Sequence, residues 1–488
     1  MIRIVDCGSQ LTQNIARRVR ELGVYSEIVP FNTSANKIMS SDLEGIIISG
    51  GQFSVYEGNA PHYDKEIFNL DVPKLGICYG QQSIAYYLGG KVKPTQEREY
   101  GATRISIQKE SPLFKGIPNN LVVWMSHGDI VEQVPNGFEI IAKSQSGHIS
   151  AIQNLERKIY AVQFHPEVDH TNYGREMLNN FLKLCNAQRA WNPEEDYSRI
   201  VEGVKKKING RVGIGGISGG VDSTAASVLV KNITGQNFHP IFVDNGLLRL
   251  NEVEEVMNYL REFLEVHYVN ASTRFLSKLR GVVNPDIKRK IIGNEFIAVF
   301  EEVAKEIAPN ASYLVQGTLY PDVIESVPVY GTSSKIKRHH NVGGLPEIMN
   351  LEVVEPFRNL FKDEVRVIAE HQLGIPHEIV WRHPFPGPGL AVRIVGQEVT
   401  EEKLNVLRKA DKIFIEELRK RGLYEKISQA LIGILSRSVG VMGDEGVYQY
   451  EIGLRAVVTD DFMTSDIFEF KWKDLKEITT RIHNEVKG

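Results

Sequence analysis

Apolar and polar positions along the chain follow two rhythms. IRIVD is a short apolar run, and LTQNIARRVRELG then carries apolar residues at helical spacing up to Gly23. GIIISGG reads as a buried strand closed by a glycine pair, and PKLGICYGQQSIAYYLGG as strand, sharp turn and helix. Strand-length apolar runs alternating with amphipathic helices predict an α/β fold with an open, mostly parallel sheet. ATRISIQ, HISAIQN and KIYAVQFHPE predict further strands, and MLNNFLKLCNA a closing helix near residue 185. The polar stretch RAWNPEEDYSR reads as a linker or helix start. A second α/β unit opens at RVGIGGISGGVDSTAASVLVKNITG and continues through HPIFVDNGLLR and SYLVQGTLYPDVIES. Residues 384–389 hold three prolines and two glycines and mark the next boundary. Beyond it, TEEKLNVLRKADKIFIEELRKRG predicts a long amphipathic helix, and YQYEIGLRAVVT and DFMTSDIFEF a strand and its connection.

At roughly 150 residues per domain, 488 residues predict about three domains. Hydrophobic residues at 42% and charged residues at 24% exclude a wholly disordered or collagen-like chain. Lys plus Arg number 57 against 61 Asp plus Glu, a net charge of −4. That balance argues against a protein that coats nucleic acid, so no nucleic-acid partner is expected. The three cysteines, Cys7, Cys78 and Cys185, form no CxxC pair, which argues against a cysteine zinc site and for a reducing compartment. No run approaches 18 apolar residues, and the start of the chain lacks a signal-type apolar region. The expectation is a cytoplasmic protein with no membrane partner.

Two stretches carry chemistry. In GICYGQQ, Cys78 follows an apolar strand and sits between Gly76 and Gly80. A nucleophile on a tight strand-to-helix turn projects clear of the sheet, and the helix N-terminus offers N–H groups to an oxyanion. In QFHPEV, His165 and Glu167 stand two apart at the end of an apolar run. In extended backbone they would share a side, so Glu167 would orient His165 as general base for Cys78.

The second stretch, ISGGVDST, is a glycine-rich turn between strand and helix. Gly219 and Gly220 admit phosphate close to the backbone, and Ser218, Ser223 and Thr224 add hydroxyls at a helix N-terminus that includes Val221. No GK[ST] follows, so it is not a Walker loop. Asp222 beside a polyphosphate implies a bridging Mg²⁺, with Asp222 as its ligand. The basic run KIKRHH, framed by GTSS and NVGG, reads as a cationic lid, with Lys337 the choice for charge at the α-phosphate.

GICYGQQ with HPE resembles the class I glutamine amidotransferases. That resemblance implies a γ-glutamyl thioester on Cys78, an oxyanion hole from Gly51 and the Tyr79 backbone, and a glutamine held by Gln82, with Ser126–Asp129 flanking the pocket. SGGVDS resembles the loop of the N-type ATP pyrophosphatases, which implies ATP cleaved to AMP and pyrophosphate, with adenine against the backbone near Val243. A glutaminase and an adenylating loop on one chain imply that ammonia made at one site reacts at the other through a water-poor passage. KRKIIG, QGTLYPDVIES, IKRHHNVGG, EPFRNLFKDEVR, RHPFPGPGLAVR, RSVGVMGD and DFMTSD together resemble the glutamine-hydrolysing GMP synthetase family over residues 2 to about 486. The family implies xanthosine 5′-monophosphate (XMP) as acceptor, with Arg289, Pro386, Gly387 and Gln429 contacting it, and a homodimer formed through the C-terminal domain. The alternative is a phosphate-loop amidotransferase with another acceptor, NAD synthetase-like or tRNA-modifying. The domains expected are an amidotransferase over 1–189, a doubly wound ATP pyrophosphatase over 190–383 and a small α+β XMP-binding and dimerisation domain over 384–488. The family carries a further C-terminal segment whose Lys and Glu reach XMP. The chain ends at Gly488 before it, so weak XMP binding is expected.

Overall fold

The computed structural model describes residues 1–326, 351–442, 445–459 and 465–487. These fall into two compact units, the first ending at Asn192 and the second beginning at Pro193. The KIKRHH run, Lys337 included, lies outside the described residues.

The first unit is built on a nine-stranded sheet: β1 (Ile2–Asp6), β2 (Ser26–Pro30), β3 (Gly45–Ile48), β4 (Lys74–Ile77), β5 (Lys91–Ile107), β6 (Asn120–Gln133), β7 (Glu139–Ser144), β8 (Ile149–Asn154) and β9 (Ile159–Val162). Their order is β2-β1-β3-β4-β9-β8-β7-β5-β6. The first five are parallel and the rest pair antiparallel. β3, β4 and β9 are buried at every position. Parallel strands covered on both faces need such unbroken apolar runs. β6 instead alternates buried and more exposed positions through most of its length, as a strand with one wet face does. The longest helices of the unit are Thr12–Glu21, Tyr79–Tyr87 and Gly174–Leu184.

The second unit holds a parallel five-stranded sheet: β10 (Gly213–Gly216), β11 (Phe238–Asp244), β12 (His267–Asn270), β13 (Tyr313–Val315) and β14 (Glu352–Val354). Its order is β12-β11-β10-β13-β14, so the winding reverses between β10 and β13. In open α/β sheets, ligands bind beyond the carboxyl ends of the strands at that reversal, and the glycine-rich turn follows β10 there. An antiparallel sheet of β15 (Gln429–Met442), β16 (Glu445–Val458) and β17 (Asp466–Ile467) comes after it in sequence. One continuous core joins Ile214 and Ile241 of the parallel sheet to Leu404, Leu407 and Phe414 of the helix Glu401–Lys420, to Ile432 of β15, and to Ile478 near the chain end. Among the described residues no helix is long and apolar enough to cross a membrane.

Candidate active site

Cys78 occupies the turn from β4 into the helix Tyr79–Tyr87. A Cβ on Gly76 would stand 2.6 Å from the Gly80 carbonyl oxygen, and one on Gly80 2.4 Å from the Ile48 carbonyl oxygen. Only glycine lets the helix approach β3 and β4 this closely. Cys78 takes φ 55° and ψ −107°, a conformation that costs a side-chain-bearing residue about 1–3 kcal/mol and persists where the surroundings over-determine it. Part of that determination is visible: the Cys78 N–H donates to Val162 O at 2.8 Å, tying the turn to β9. The thiol is buried and donates to Ser126 O at 3.6 Å.

His165 and Glu167 do meet, for a different reason than strand spacing. β9 ends at Val162, and the chain then bends, with Pro166 and Glu167 in a turn. The turn, rather than the pleat of a strand, brings the His165 Nδ1–H to Glu167 Oε1 at 2.7 Å. This leaves Nε2 for the thiol. The His165 backbone is fixed as well: its N–H donates to Trp124 O at 3.0 Å and its carbonyl accepts the Thr171 hydroxyl at 2.6 Å. Burial alone would push the imidazole down. The Glu167 carboxylate first, and Cys78 next, outweigh it and hold His165 well above its ordinary value.

Around this dyad the N–H groups of Gly51 and Tyr79 find no acceptor among the described residues. A Cβ on Gly51 would stand 2.7 Å from Cys7 O and 3.3 Å from the Tyr79 ring, so the loop after β3 closes directly on the elbow. Gln82 is buried and donates its amide to Asp129 O at 3.0 Å and Gln163 Oε1 at 3.2 Å. The flanking Ser126–Asp129 stretch is held by His127, whose ring nitrogens face Glu99 Oε2 and Asp129 O, each at 3.0 Å. Burial works against ionising Glu99, yet hydrogen bonds from His127 and Ser144 bring its carboxyl down to about 2.

In the second unit residues 217–220 form the turn between β10 and the helix Val221–Thr234, and Asp222 is its second residue. Gly219 has φ +79°. Ser218 Oγ and Ser223 Oγ lie 3.1 Å apart, and Ser223 Oγ also accepts the Ser218 N–H at 3.2 Å. Thr224 is buried in the first turn of the helix, and Val243 is buried one residue before the end of β11. Asp222 Oδ2 accepts from Lys362 Nζ at 3.0 Å, while Oδ1 is buried with no partner among the described residues. A carboxylate with one oxygen free fits a hard cation beside a phosphate chain. Lys362 escaped the sequence reading because 140 residues separate it from Asp222. The available signal was its position as first residue of the helix Lys362–His371, where the dipole disfavours a cation unless an anion is near.

Pro386 and Gly387 lie in the turn before Gly389, and a Cβ on Gly387 would meet open space. Phe385 beside them has two guanidinium groups over its ring, Arg249 at 4.7 Å and Arg393 at 4.9 Å, and Arg249 Nε lies 3.2 Å from Asp411 Oδ2. Arg393 Nη1 donates to Asp411 Oδ1 at 2.7 Å, and the Nη2 atoms of both arginines have no partner among the described residues. Arg249 was also missed in the sequence; its stretch, DNGLLR, reads only as the end of a strand. Arg289 is exposed on the helix Pro285–Ile307 and pairs with Asp286 at 2.9 Å. Gln429 opens β15. No hydrogen bond joins Arg289, Pro386, Gly387 and Gln429 to one another among the described residues.

A thiol on an elbow, a carboxylate-held imidazole and free N–H groups, set in this mixed sheet, define a class I glutamine amidotransferase. The class I glutamine amidotransferase family model matches residues 3–185, and the model of the GMP synthase C-terminal domain matches residues 416–488. The chain is 52% identical to a glutamine-hydrolysing GMP synthase of Aquifex aeolicus over all of this chain and 95% of the relative. It is 50% identical to that of Clostridium kluyveri, over all of this chain and 96% of the relative, and 48% identical to that of Brachyspira hyodysenteriae, over all of this chain and 95% of the relative. The chain belongs to the glutamine-hydrolysing GMP synthase family.

Proposed function

We infer that this chain makes GMP from XMP, ATP and glutamine, releasing AMP, pyrophosphate and glutamate. The observation that carries this reading is its full-length likeness to curated glutamine-hydrolysing GMP synthases.

In the first unit, Cys78 Sγ attacks the glutamine amide carbon as its proton passes to His165 Nε2. The Gly51 and Tyr79 N–H groups receive the oxyanion, and Gln82 and the Ser126–Asp129 backbone hold the substrate. His165, now an imidazolium stabilised by Glu167, gives its Nε2 proton to the departing ammonia. It then takes one from the water that hydrolyses the thioester. In the second unit, Ser218–Thr224 cradle the β- and γ-phosphates as a leaving group, with adenine along Val243. O2 of XMP attacks the α-phosphorus and pyrophosphate leaves; ammonia then attacks C2 of the purine and AMP departs. Mg²⁺ would be held by the free oxygen of Asp222 and neutralise phosphate charge. Lys362, resting on the other oxygen, adds a cation at the same place, and Lys337 of the basic run is proposed for the α-phosphate.

XMP is assigned to Arg289, Pro386, Gly387 and Gln429, while Arg249 and Arg393 beside Phe385 both pair with Asp411. The proposed division is 1–189 for the amidotransferase, 190–383 for the ATP pyrophosphatase and 384–488 for XMP binding and dimerisation. Apolar side chains on the last sheet support a homodimer. Val439 and Tyr448, directly opposite each other on β15 and β16, are 73% and 62% exposed, and Ile467 is 83% exposed. Three free cysteines suit a cytoplasmic setting.

The test is an assay with XMP, ATP, Mg²⁺ and glutamine in which GMP, AMP and pyrophosphate are detected separately. Stoichiometric ADP in place of AMP would overturn the assignment. Cys78→Ala is expected to abolish synthesis from glutamine and to spare synthesis from ammonium. Equal loss of both would remove the thiol from the proposed role.

A further inference from the structure

Lys288 is fully buried in the helix Pro285–Ile307, one residue before the exposed Arg289. A buried ammonium is costly unless its donors are satisfied. Here Nζ donates to three backbone carbonyls: Ala391 O at 3.1 Å, Ile394 O at 2.8 Å and Gln397 O at 2.6 Å. An ammonium has three donors, and all three are used on one seven-residue segment. That segment directly continues the PFPGPG turn. The turn's own anchors are few: Leu390 N–H donates to Leu247 O at 2.8 Å, and Gly389, at φ +59°, would place a Cβ 2.4 Å from the same oxygen.

We propose that Lys288 is a positioning residue for the nucleotide acceptor, its ammonium pinning the segment after Pro386 and Gly387 to the helix that presents Arg289. This rests on the assignment of XMP to Arg289, Pro386 and Gly387. An apolar residue of similar length would fill the space but leave three carbonyls facing it unpaired, so the segment would shift. An arginine keeps the charge and donors with a different reach.

The clamp is sensitive to alkali. Burial, then repulsion from Lys403, lowers Lys288 to about 8. Lys403 donates to Glu398 O at 3.1 Å, and Glu398 Oε2 accepts the Gly281 N–H at 3.2 Å. Asp286 and Arg289 on the same helix pair with each other. Arg393, on the clamped segment itself, is committed to Asp411. Above about pH 8 the neutral amine relieves the buried charge, which favours the fold, but it donates at most two hydrogen bonds and turns a lone pair toward a carbonyl. The protein stays folded while the turn loses a tether.

The experiment measures KM for XMP and for ATP in ammonia-dependent synthesis at constant free ammonia, from pH 7 to 9. The expected results are a wild-type KM for XMP that climbs above pH 8 with an unchanged KM for ATP, and a Lys288→Met KM for XMP about tenfold higher at pH 7 and flat with pH. Lys288→Arg should recover part of the loss. Saturable XMP use in the wild type with the same KM and pH profile in Lys288→Met would overturn the inference while leaving the XMP assignment standing. No XMP use by the wild type would overturn that assignment instead. Should Lys288→Met fail to fold, a wild-type KM for XMP that is flat from pH 7 to 9 overturns the clamp on its own.

Discussion

Glu167 acts on the thiol only through the imidazole. The sign of its effect follows from the raised His165. A raised folded value means that His165 contributes stability below its unfolded value, and that this contribution is lost as pH rises through the folded value. Glu167→Gln keeps a hydrogen-bond acceptor but removes the charge, so the folded value falls and less imidazolium stands beside Cys78 at neutral pH. In the pH profile of glutaminase activity the limb set by His165 should then have its midpoint displaced to lower pH, with activity reduced on the order of a hundredfold. A midpoint that stays where it is would show that the carboxylate only props the ring. At this scale the sequence was informative about atoms close along the chain: HPE already names the dyad. It was silent about Lys288 and Lys362, whose partners lie more than a hundred residues away and whose types are unremarkable on a helix.

Among elements, the decisive feature is how tightly the helix Tyr79–Tyr87 sits on β3 and β4. Gly80→Ala puts a methyl 2.4 Å from a backbone oxygen that cannot rotate away. The expected outcome is a first unit destabilised by about 1–3 kcal/mol, a lower melting temperature, and loss of glutamine-dependent synthesis with ammonium-dependent synthesis kept. Gly58→Ala, where a Cβ meets nothing within 4 Å, is the matched control and should change stability by no more than about 0.5 kcal/mol. The strands around this helix were readable because parallel strands covered on both faces must be continuously apolar, and GIIIS and KLGIC are. The reach of β9 was not. The strand ends at Val162; Gln163 N–H still donates to Ser150 O, but the chain then bends through Pro166 and Glu167, so a same-side argument drawn from pleating reached this pair by the wrong geometry.

For the molecule as a whole, the last sheet invites association. Val439→Glu with Tyr448→Glu places two like charges opposite each other at exposed positions of β15 and β16; on the proposed homodimer, sedimentation should show a dimer for the wild type and a monomer for this variant. An unchanged mass would move the dimer contact elsewhere. The chain also distributes its sulfur unevenly. Cys7 and Cys185 are buried, and burial pushes both thiols well up, so they stay protonated and poorly reactive. Cys78 alone has a base beside it. A peroxide pulse should therefore convert one atom of the protein to a sulfenic acid before any other. On the proposed role of that atom, mild oxidation would change the protein's diet rather than inactivate it: glutamine could no longer be used as the nitrogen source, while free ammonia still could.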